Sequence, residues 1–334
     1  MENNIVISAV DNIVEENKPE PLDVVENQPV LVEEELKTDT YLIINNNTES
    51  NNENINIDYD TIVLSGGGIQ GIMLLGSIQY LYDNFLINNI KNYIGTSCGA
   101  IISYLLIIGY TPVEIIVYFC KNRTIEKIND NLNIASAIND GSLCSFNFIH
   151  EELEKMTILK IGSLLNLQEL YNRFNKKLFC ATYNLTEEKT EYLSIDTYPN
   201  LPCITALRMS SNLPFIFEKY KYGNSFYIDG GISNNFPLDL GEIIGKKVLG
   251  LLLFPLKQNS DNKEQNLNFV EYFYKLLSIF YSELVQCKLN TFSTKTKICK
   301  LFYKRYGMLN FTSISPVDRL EMFSEGYQQI RAYL

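Results

Sequence analysis

The sequence predicts an α/β fold in which helices cover a mostly parallel central sheet. Residues 61–65 form a short β-branched, apolar run that leads through glycines into the helical pattern of residues 72–86. Residues 91–100 and the apolar run after them repeat this order. A β-α-β-α series indicates parallel strands joined by crossover helices, and further short strands as far as residue 254 place the sheet in one domain.

Apolar spacing predicts the elements of the first half of the chain. Residues 61–65 and 91–94 are expected to be buried strands. Helices are expected at residues 72–86, 100–109, 112–122, 146–156 and 166–175. Residues 129–141 are polar and are expected to connect two of these helices.

The second half adds strands and three helices. Strands are expected at residues 178–184, 191–195, 226–228 and 248–254. Helices are expected at residues 203–211, 268–288 and 323–334. The expected domain therefore runs over residues 59–334, with a core at 60–254 and a helical, basic and aromatic extension at 255–334.

Residues 1–58 are predicted to be a disordered acidic arm rich in asparagine. Residues 1–60 hold 15 acidic residues and two lysines, a net charge of −13, so the remaining residues carry +2 of the overall −11. Such a composition buries too little apolar surface to offset the entropy of ordering the chain. An interaction arm and a solvated spacer are both compatible with it, and the sequence names no protein partner.

Cysteine and histidine usage argues against a metal or cofactor. The seven cysteines are odd in number, widely spaced and without a Cys-x-x-Cys pair, which favours a reducing compartment over a disulfide framework or a zinc site. His150 is the single histidine, which excludes a His-rich centre. The N-terminus lacks the basic and apolar regions of a secretory signal, so a cytoplasmic location with peripheral contact to membranes is expected.

Residues 95–99, Gly-Thr-Ser-Cys-Gly, match the Gly-x-Ser-x-Gly pattern of a nucleophile elbow. Such an elbow is a tight turn between a strand and a helix, where side chains at Gly95 and Gly99 would collide with the backbone. The turn would expose the Ser97 hydroxyl beside the first amides of the helix, whose dipole favours a developing anion. Three fixed residues also recur in ordinary loops.

The glycine loop at residues 66–71, Gly-Gly-Gly-Ile-Gln-Gly, allows three interpretations. A dinucleotide fingerprint would need an acidic residue at the end of the second strand, where this chain has the elbow instead. An oxyanion hole fits better, because consecutive glycines leave their N–H groups unshielded and a hydrolase elbow needs amides from a neighbouring loop. A packing turn is the third interpretation.

A serine nucleophile needs a base, and Asp229 is a better candidate than His150. His150 lies in an apparently exposed helix start, whereas Asp229 ends a strand and precedes Gly230 and Gly231, which allow a sharp turn. A carboxylate bonded directly to Ser97 can act as general base if burial raises its pKa. Taken alone, Asp-Gly-Gly is also a common β-turn sequence.

Together these motifs resemble the patatin-like phospholipases. The resemblance rests on residues 66–71, 95–99 and 229–231, in the family's order, and extends to residues 206–215 and 233–237. It covers residues 60–254, with a looser likeness at residues 325–327. It implies a three-layer α/β sandwich with a Ser-Asp dyad that works without histidine or cofactor.

The resemblance also implies a role for each site residue. Ser97 would be the nucleophile and Asp229 the base, with oxyanion donors from the amides of Gly67, Gly68 and Cys98. The motif glycines are Gly66, Gly71, Gly95, Gly99, Gly230 and Gly231. This chain departs from the family at Gln70, where relatives usually carry Arg or Lys. Losing one oxyanion donor can slow such an enzyme by a factor of about 10² to 10³.

A basic and aromatic stretch follows in the extension. Residues 286–317 contain no Asp or Glu, and lysines alternate there with Phe and Tyr. An anionic membrane surface, RNA phosphates and a solvated face with snorkelling lysines are all compatible with this pattern. With a lipase site upstream, the membrane is favoured and nucleic acid is not expected.

The sequence therefore predicts a lipid acyl hydrolase of the phospholipase A or lysophospholipase type. Its substrate would be a phospholipid or lysophospholipid, cleaved through an acyl-enzyme. The alternative is a catalytically weak relative that binds lipid or acts as a scaffold, and Gln70 is the feature in favour of that alternative.

Overall fold

The computed structural model describes residues 59–121, 142–256, 293–303 and 314–334, with 272, 275–276, 279–280 and 282–285. The predicted acidic arm and the polar connection at 129–141 lie outside these residues. The described residues belong to one compact unit, Ile55–Leu334.

Within the described residues, eight strands form a single sheet. They are β1 Thr61–Leu64, β2 Asn92–Thr96, β3 Lys177–Asn184, β4 Lys189–Leu193, β5 Tyr220–Tyr222, β6 Ser225–Asp229, β7 Val248–Pro255 and β8 Thr296–Tyr303. Strand β1 pairs in parallel with β2 and β7, β2 with β3, and β7 with β8. Antiparallel pairing occurs between β3 and β4, β3 and β6, and β5 and β6. The predicted α/β fold with a mostly parallel sheet is confirmed.

The helices lie largely where apolar spacing predicts them. They are α1 Gly71–Asp83, α2 Cys98–Ile107, α3 Pro112–Lys121, α4 Asn147–Ile161, α5 Leu167–Phe174, α6 Cys203–Ser211, α7 Gly231–Asn234, α8 Leu238–Ile244 and α9 Pro316–Arg331. The described residues between 272 and 285 are also helical. A short 3-10 turn, Gly68–Gln70, precedes α1.

Helix α9 begins seven residues before its predicted start at residue 323. Ser315 accepts a hydrogen bond from Asp318 N, and Asp318 accepts one from Ser315 N. This capping box, with Pro316 at the first turn, fixes the start of the helix. The Ser-Pro-Val-Asp sequence at residues 315–318 is the local signal for this start.

The structure describes residues 293–303 and 314–317 of the basic and aromatic stretch at 286–317, and the rest of the stretch lies outside the described residues. Thr296–Tyr303 forms β8, which pairs with β7 and was not expected from the sequence. Lys295 donates to Glu242 O and Gly245 O, and so binds the C-terminal carbonyls of α8 rather than solvent. Phe302 N and O are both bonded by the Gln329 side-chain amide, at 2.7 and 2.9 Å. Lys297 is exposed.

Two cores lie on opposite faces of the sheet and make three layers. Ile62 and Leu64 of β1 belong to the larger core, which α1, α2, α6 and α9 help to form. Val63, between them, points to the smaller core, where it meets Leu238 of α8 and Val285. Alternation along a strand sends successive side chains to opposite faces, so β1 is buried on both.

Helices α1 and α9 pack with backbone against backbone. A Cβ built on Gly76 would lie 1.8 Å from Phe323 O, and one built on Gly326 would lie 2.1 Å from Met73 O. Ser77 Oγ donates to Gly326 O at 2.8 Å across the same contact. The C-terminal helix is therefore part of the domain that carries the elbow.

Candidate active site

Ser97 lies in a strained turn between β2 and α2. Its φ of 54° and ψ of −125° are unusual for a residue with a side chain. Ala100 N and Ile101 N donate to Ser97 O at 2.9 and 3.2 Å, which closes the turn into the first turn of α2. The residue is 7% exposed. This is the geometry expected for a nucleophile elbow.

Both glycines of the elbow are required by close backbone contacts. A Cβ on Gly95 would lie 2.4 Å from Ala100 N, and one on Gly99 would lie 2.6 Å from Leu64 O and 2.7 Å from Ser65 O. Real Cβ atoms do not approach backbone this closely, so the strand, the turn and the end of β1 can meet only with glycine at these positions.

Strand β3 brings the two candidate catalytic side chains together. Ala181 pairs with β4 and with Thr96 of β2, while Thr182 pairs with β4 and with Asp229 of β6. Because β4 occupies one edge of β3 along both residues, β2 and β6 must share the other edge, end to end. Ser97 follows the last residue of β2, and Asp229 is the last residue of β6.

Asp229 is 1% exposed, and its environment sets its acidity. Burial raises the pKa of Asp229 to about 6, although the Ser97 hydroxyl and the Gly231 N–H lower it in part. Gly231 N donates to Asp229 Oδ1 at 2.6 Å, while Oδ2 has no hydrogen-bond partner in the part of the chain that the structure describes. The Ser97 hydroxyl thus stabilises the carboxylate, although the two side chains do not form a complete hydrogen bond. Catalytic hydrogen bonds are often loose without substrate.

The turn after Asp229 joins the three motifs. A Cβ on Gly230 would lie 2.3 Å from Ala181 O, so glycine lets the chain cross β3. Thr96 Oγ1 then donates to Asn234 O at 2.9 Å. Asn235 bonds the glycine loop twice, because Gly66 N donates to its carbonyl at 3.0 Å and its Nδ2 donates to Gly66 O at 3.2 Å.

The Cys98 thiol lies beside the glycine loop and the start of α2. The backbone N–H groups of Gly67, Gly68 and Gly99 lower its pKa in part. Burial, with the nearby Asp229 carboxylate, nevertheless raises the pKa of Cys98 to about 12, so the thiol stays neutral. Cys98 N is at the first position of α2, where an N–H has no acceptor within the helix.

The other residues of the glycine loop fit this arrangement. Gly68 has φ of +55°, which favours glycine, and Gln70 N donates to Gly67 O at 3.1 Å to close the 3-10 turn. A Cβ on Gly71 would lie 3.0 Å from Cys98 Sγ, so α1 begins close to the elbow. Gln70, the last residue of this turn, is 9% exposed.

His150 lies in α4 and has another partner. Its Nε2 is 3.3 Å from Glu154 Oε1, one helical turn further along. Among the described residues, no hydrogen bond or ion pair joins His150 to Ser97 or Asp229. The His150 side chain is half-buried rather than exposed as expected, and within the described part of the chain its Nδ1 has no hydrogen-bond partner.

Two negative findings apply only to the part of the chain that the structure describes. There, no group of three or more His, Cys, Asp or Glu side chains is arranged to hold a metal ion. Within the same residues, no single helix is long and apolar enough to cross a membrane; α2 and α3 pass that test only together, with a bend of 116° between them.

Comparison with known proteins identifies the family. The model of the patatin-like phospholipase family matches residues 62–241, more than half of the chain. The chain belongs to this family. A protein of Invertebrate iridescent virus 6 named "Probable lipid hydrolase 463L" is 39% identical over 184 residues, which cover 54% of this chain and 63% of that protein. This chain thus spans less than two thirds of the length of that relative.

Two further matches are more distant. The protein R571 of Acanthamoeba polyphaga mimivirus is 27% identical over 213 residues, covering 60% of this chain and 67% of that protein. The crystal structure of VipD from Legionella pneumophila shares the fold, with a TM-score of 0.50 and 19% identity over 83% of this chain and 66% of VipD.

Sequence reasoning missed the side chains that hold the site together. Asn235 and Ser210, whose hydroxyl accepts from Ser97 N at 3.1 Å, lie in segments that resemble the family, and no local pattern marks either as a link between motifs. Thr96 occupies a variable position of the Gly-x-Ser-x-Gly pattern. Their contacts depend on how β2, β3 and β6 pair.

Proposed function

We propose that this protein is a serine acyl hydrolase that cleaves fatty-acyl esters of lipids with Ser97 and Asp229. The observation that carries the proposal is the pairing of a strained, elbow-borne serine with a buried carboxylate whose pKa is raised to about 6. A base with that pKa is ionised at neutral pH and can still accept a proton. The family and the name of the iridescent virus relative support a lipid substrate.

In the proposed mechanism, Asp229 takes the proton of Ser97 as the serine oxygen bonds to the ester carbonyl carbon. The negative charge on the carbonyl oxygen is stabilised by the N–H groups of Gly67, Gly68 and Cys98. The intermediate then collapses, and the leaving alcohol takes the proton from Asp229. Water attacks the acyl-enzyme with Asp229 again as base, which releases the fatty acid and restores Ser97. No step uses a metal or a cofactor.

A phospholipid or lysophospholipid is the substrate class we propose, reached at a membrane surface from the cytoplasm. The exposed Lys297 could face anionic headgroups, each such cation contributing about 1 kcal/mol near the surface. Lys295 instead donates hydrogen bonds to the carbonyls of Glu242 and Gly245 at the end of α8.

The second candidate function is lipid binding or scaffolding with weak catalysis. It is favoured by Gln70, which brings no positive charge to the glycine loop. It requires that Ser97 react slowly even though the elbow and the carboxylate are both in place.

Fluorophosphonate labelling and fatty-acid release from a panel of phospholipid vesicles test the proposal together. We expect labelling and release by the wild type and loss of both in Ser97→Ala. Cys98→Ala is the matched control, since the neighbouring thiol is neutral, and it should still be labelled. Well-folded wild type that is neither labelled nor active on any vesicle would favour the lipid-binding alternative.

A further inference from the structure

Ser210 contacts the backbone of every element that carries the candidate dyad. It is fully buried near the C-terminal end of α6. Its hydroxyl donates to Ala181 O at 2.6 Å and accepts from Ser97 N at 3.1 Å. Its carbonyl accepts from Gly230 N at 3.2 Å. One residue therefore bonds the elbow, strand β3 and the turn that follows Asp229.

The direction of these hydrogen bonds follows from the chemistry of a hydroxyl. A serine has one O–H hydrogen, and Ala181 O can only accept, so that hydrogen is committed to β3. The oxygen lone pairs remain to accept from Ser97 N. The Ser97 N–H is consequently not an oxyanion donor, and the bond supports the residue whose φ of 54° is unfavourable.

Neighbouring contacts fix the same end of α6 to the base. Asp229 N donates to Asn212 O at 2.9 Å. Thr182 Oγ1 lies 2.8 Å from Met209 O and 3.0 Å from Ile228 O, and so ties α6 and β6 to β3. Asp229 and β6 are therefore held by several hydrogen bonds, whereas the Ser210 hydroxyl also bonds the backbone N–H of Ser97.

We infer that Ser210 is a positioning residue that sets the separation between the Ser97 hydroxyl and the Asp229 carboxylate. This inference rests on the proposed function. Without the Ser210 hydroxyl, Ser97 N and Ala181 O lose their partner, and the strained elbow relaxes relative to β6. A displacement of about 1 Å in a catalytic constellation can cost a factor of about 10² in rate.

Ser211 provides a matched control. It is the next residue of the same helix, it is 5% exposed, and no described residue forms a hydrogen bond with its hydroxyl. Ser210→Ala and Ser211→Ala each remove one buried hydroxyl from α6, but only the first breaks a contact with the elbow.

The experiment compares wild type, Ser210→Ala, Ser211→Ala and Ser210→Thr in fluorophosphonate labelling and in steady-state hydrolysis of a soluble ester as a function of pH. We expect Ser210→Ala to lower kcat about 10- to 100-fold with little change in KM. The apparent pKa in the pH profile of kcat should be higher for Ser210→Ala than for the wild type, because the Asp229 carboxylate loses the stabilising Ser97 hydroxyl. The nearby Cys98 thiol is neutral throughout this range and does not contribute.

Ser211→Ala should match the wild type in kcat and apparent pKa, and Ser210→Thr, which keeps the hydroxyl, should return the pH profile to that of the wild type. Thermal unfolding of every variant separates a loss of fold from a loss of positioning. If Ser210→Ala folds and reacts as fast as the wild type, with an unchanged pH profile, Ser210 is not a positioning residue. A wild type that is neither labelled nor hydrolyses any ester overturns the proposed function itself, and this inference with it.

Discussion

Asp229 shows how a single residue couples the proposed chemistry to stability. A buried carboxylate is costly to ionise, and among the described residues only the Gly231 N–H makes a complete hydrogen bond to it. Burial raises the pKa of Asp229 from the ordinary 3.8 to about 6. Between these values the folded protein binds more protons than the unfolded chain, so stability falls as the pH rises through this window.

Asp229→Asn should therefore be inactive and more stable than the wild type near neutral pH. An asparagine at this position carries no charge, and its Oδ1 can still accept from Gly231 N. The gain in the free energy of unfolding should be up to about 3 kcal/mol at about pH 8 and should disappear at about pH 4, where the wild-type carboxyl is protonated. Urea denaturation at the two pH values measures it. A variant less stable than the wild type at the higher pH would contradict a buried, ionised Asp229.

At the scale of elements, the elbow depends on backbone approach more than on side chains. Gly99 lies in the first turn of α2, where alanine would normally favour the helix by about 1 kcal/mol. The carbonyls of Leu64 and Ser65 occupy the space of its Cβ. The close contact thus predicts that Gly99→Ala lowers stability, whereas helix propensity predicts that it raises stability.

Gly99→Ala should lower both stability and reactivity. The methyl group would push α2 away from the end of β1 and move Ser97 from Asp229, so we expect fluorophosphonate labelling to slow by about 10². Labelling rate and thermal unfolding are the two measurements. Stabilisation with wild-type labelling would mean that helix propensity dominates and that the elbow tolerates a side chain here.

At the scale of the whole molecule, the C-terminal helix completes the domain beyond the region that matches the family. The family match ends at residue 241, but α9 packs its backbone directly against α1, the helix that follows the glycine loop. Gly76 and Gly326 make this contact possible. Met322 and Ile330 of α9 are buried in the larger core.

Gly326→Ala should destabilise the protein by about 1–3 kcal/mol, because its Cβ would overlap Met73 O. Propensity alone predicts a gain in stability, so the sign is diagnostic. Ser324→Ala, at an exposed position of the same helix, is the control and should change stability little. Chemical denaturation of both variants measures the change in the free energy of unfolding. If Gly326→Ala is stabilising, the two helices are not in backbone contact.

Local features of the chain could be predicted from the sequence more fully than contacts between distant residues. Most helices, six of the eight strands and the elbow follow from residues close in sequence, because periodicity and glycine placement are local properties. Strand β8 was missed because lysines within it resembled a surface stretch, although Cys299 and Leu301 point into the core. Strand β5 has only three residues, too few for a pattern to be distinctive.

The sequence by itself determined the fold class, the family resemblance and the two residues proposed for catalysis. These depend on short motifs and on apolar periodicity, which are local properties of the chain. Only the tertiary structure decided how Ser97 and Asp229 meet, with β2 and β6 end to end along β3, and that Ser210 bonds both sides. Strand register and contacts between residues more than a hundred positions apart are set by how the whole chain packs, which no local pattern encodes.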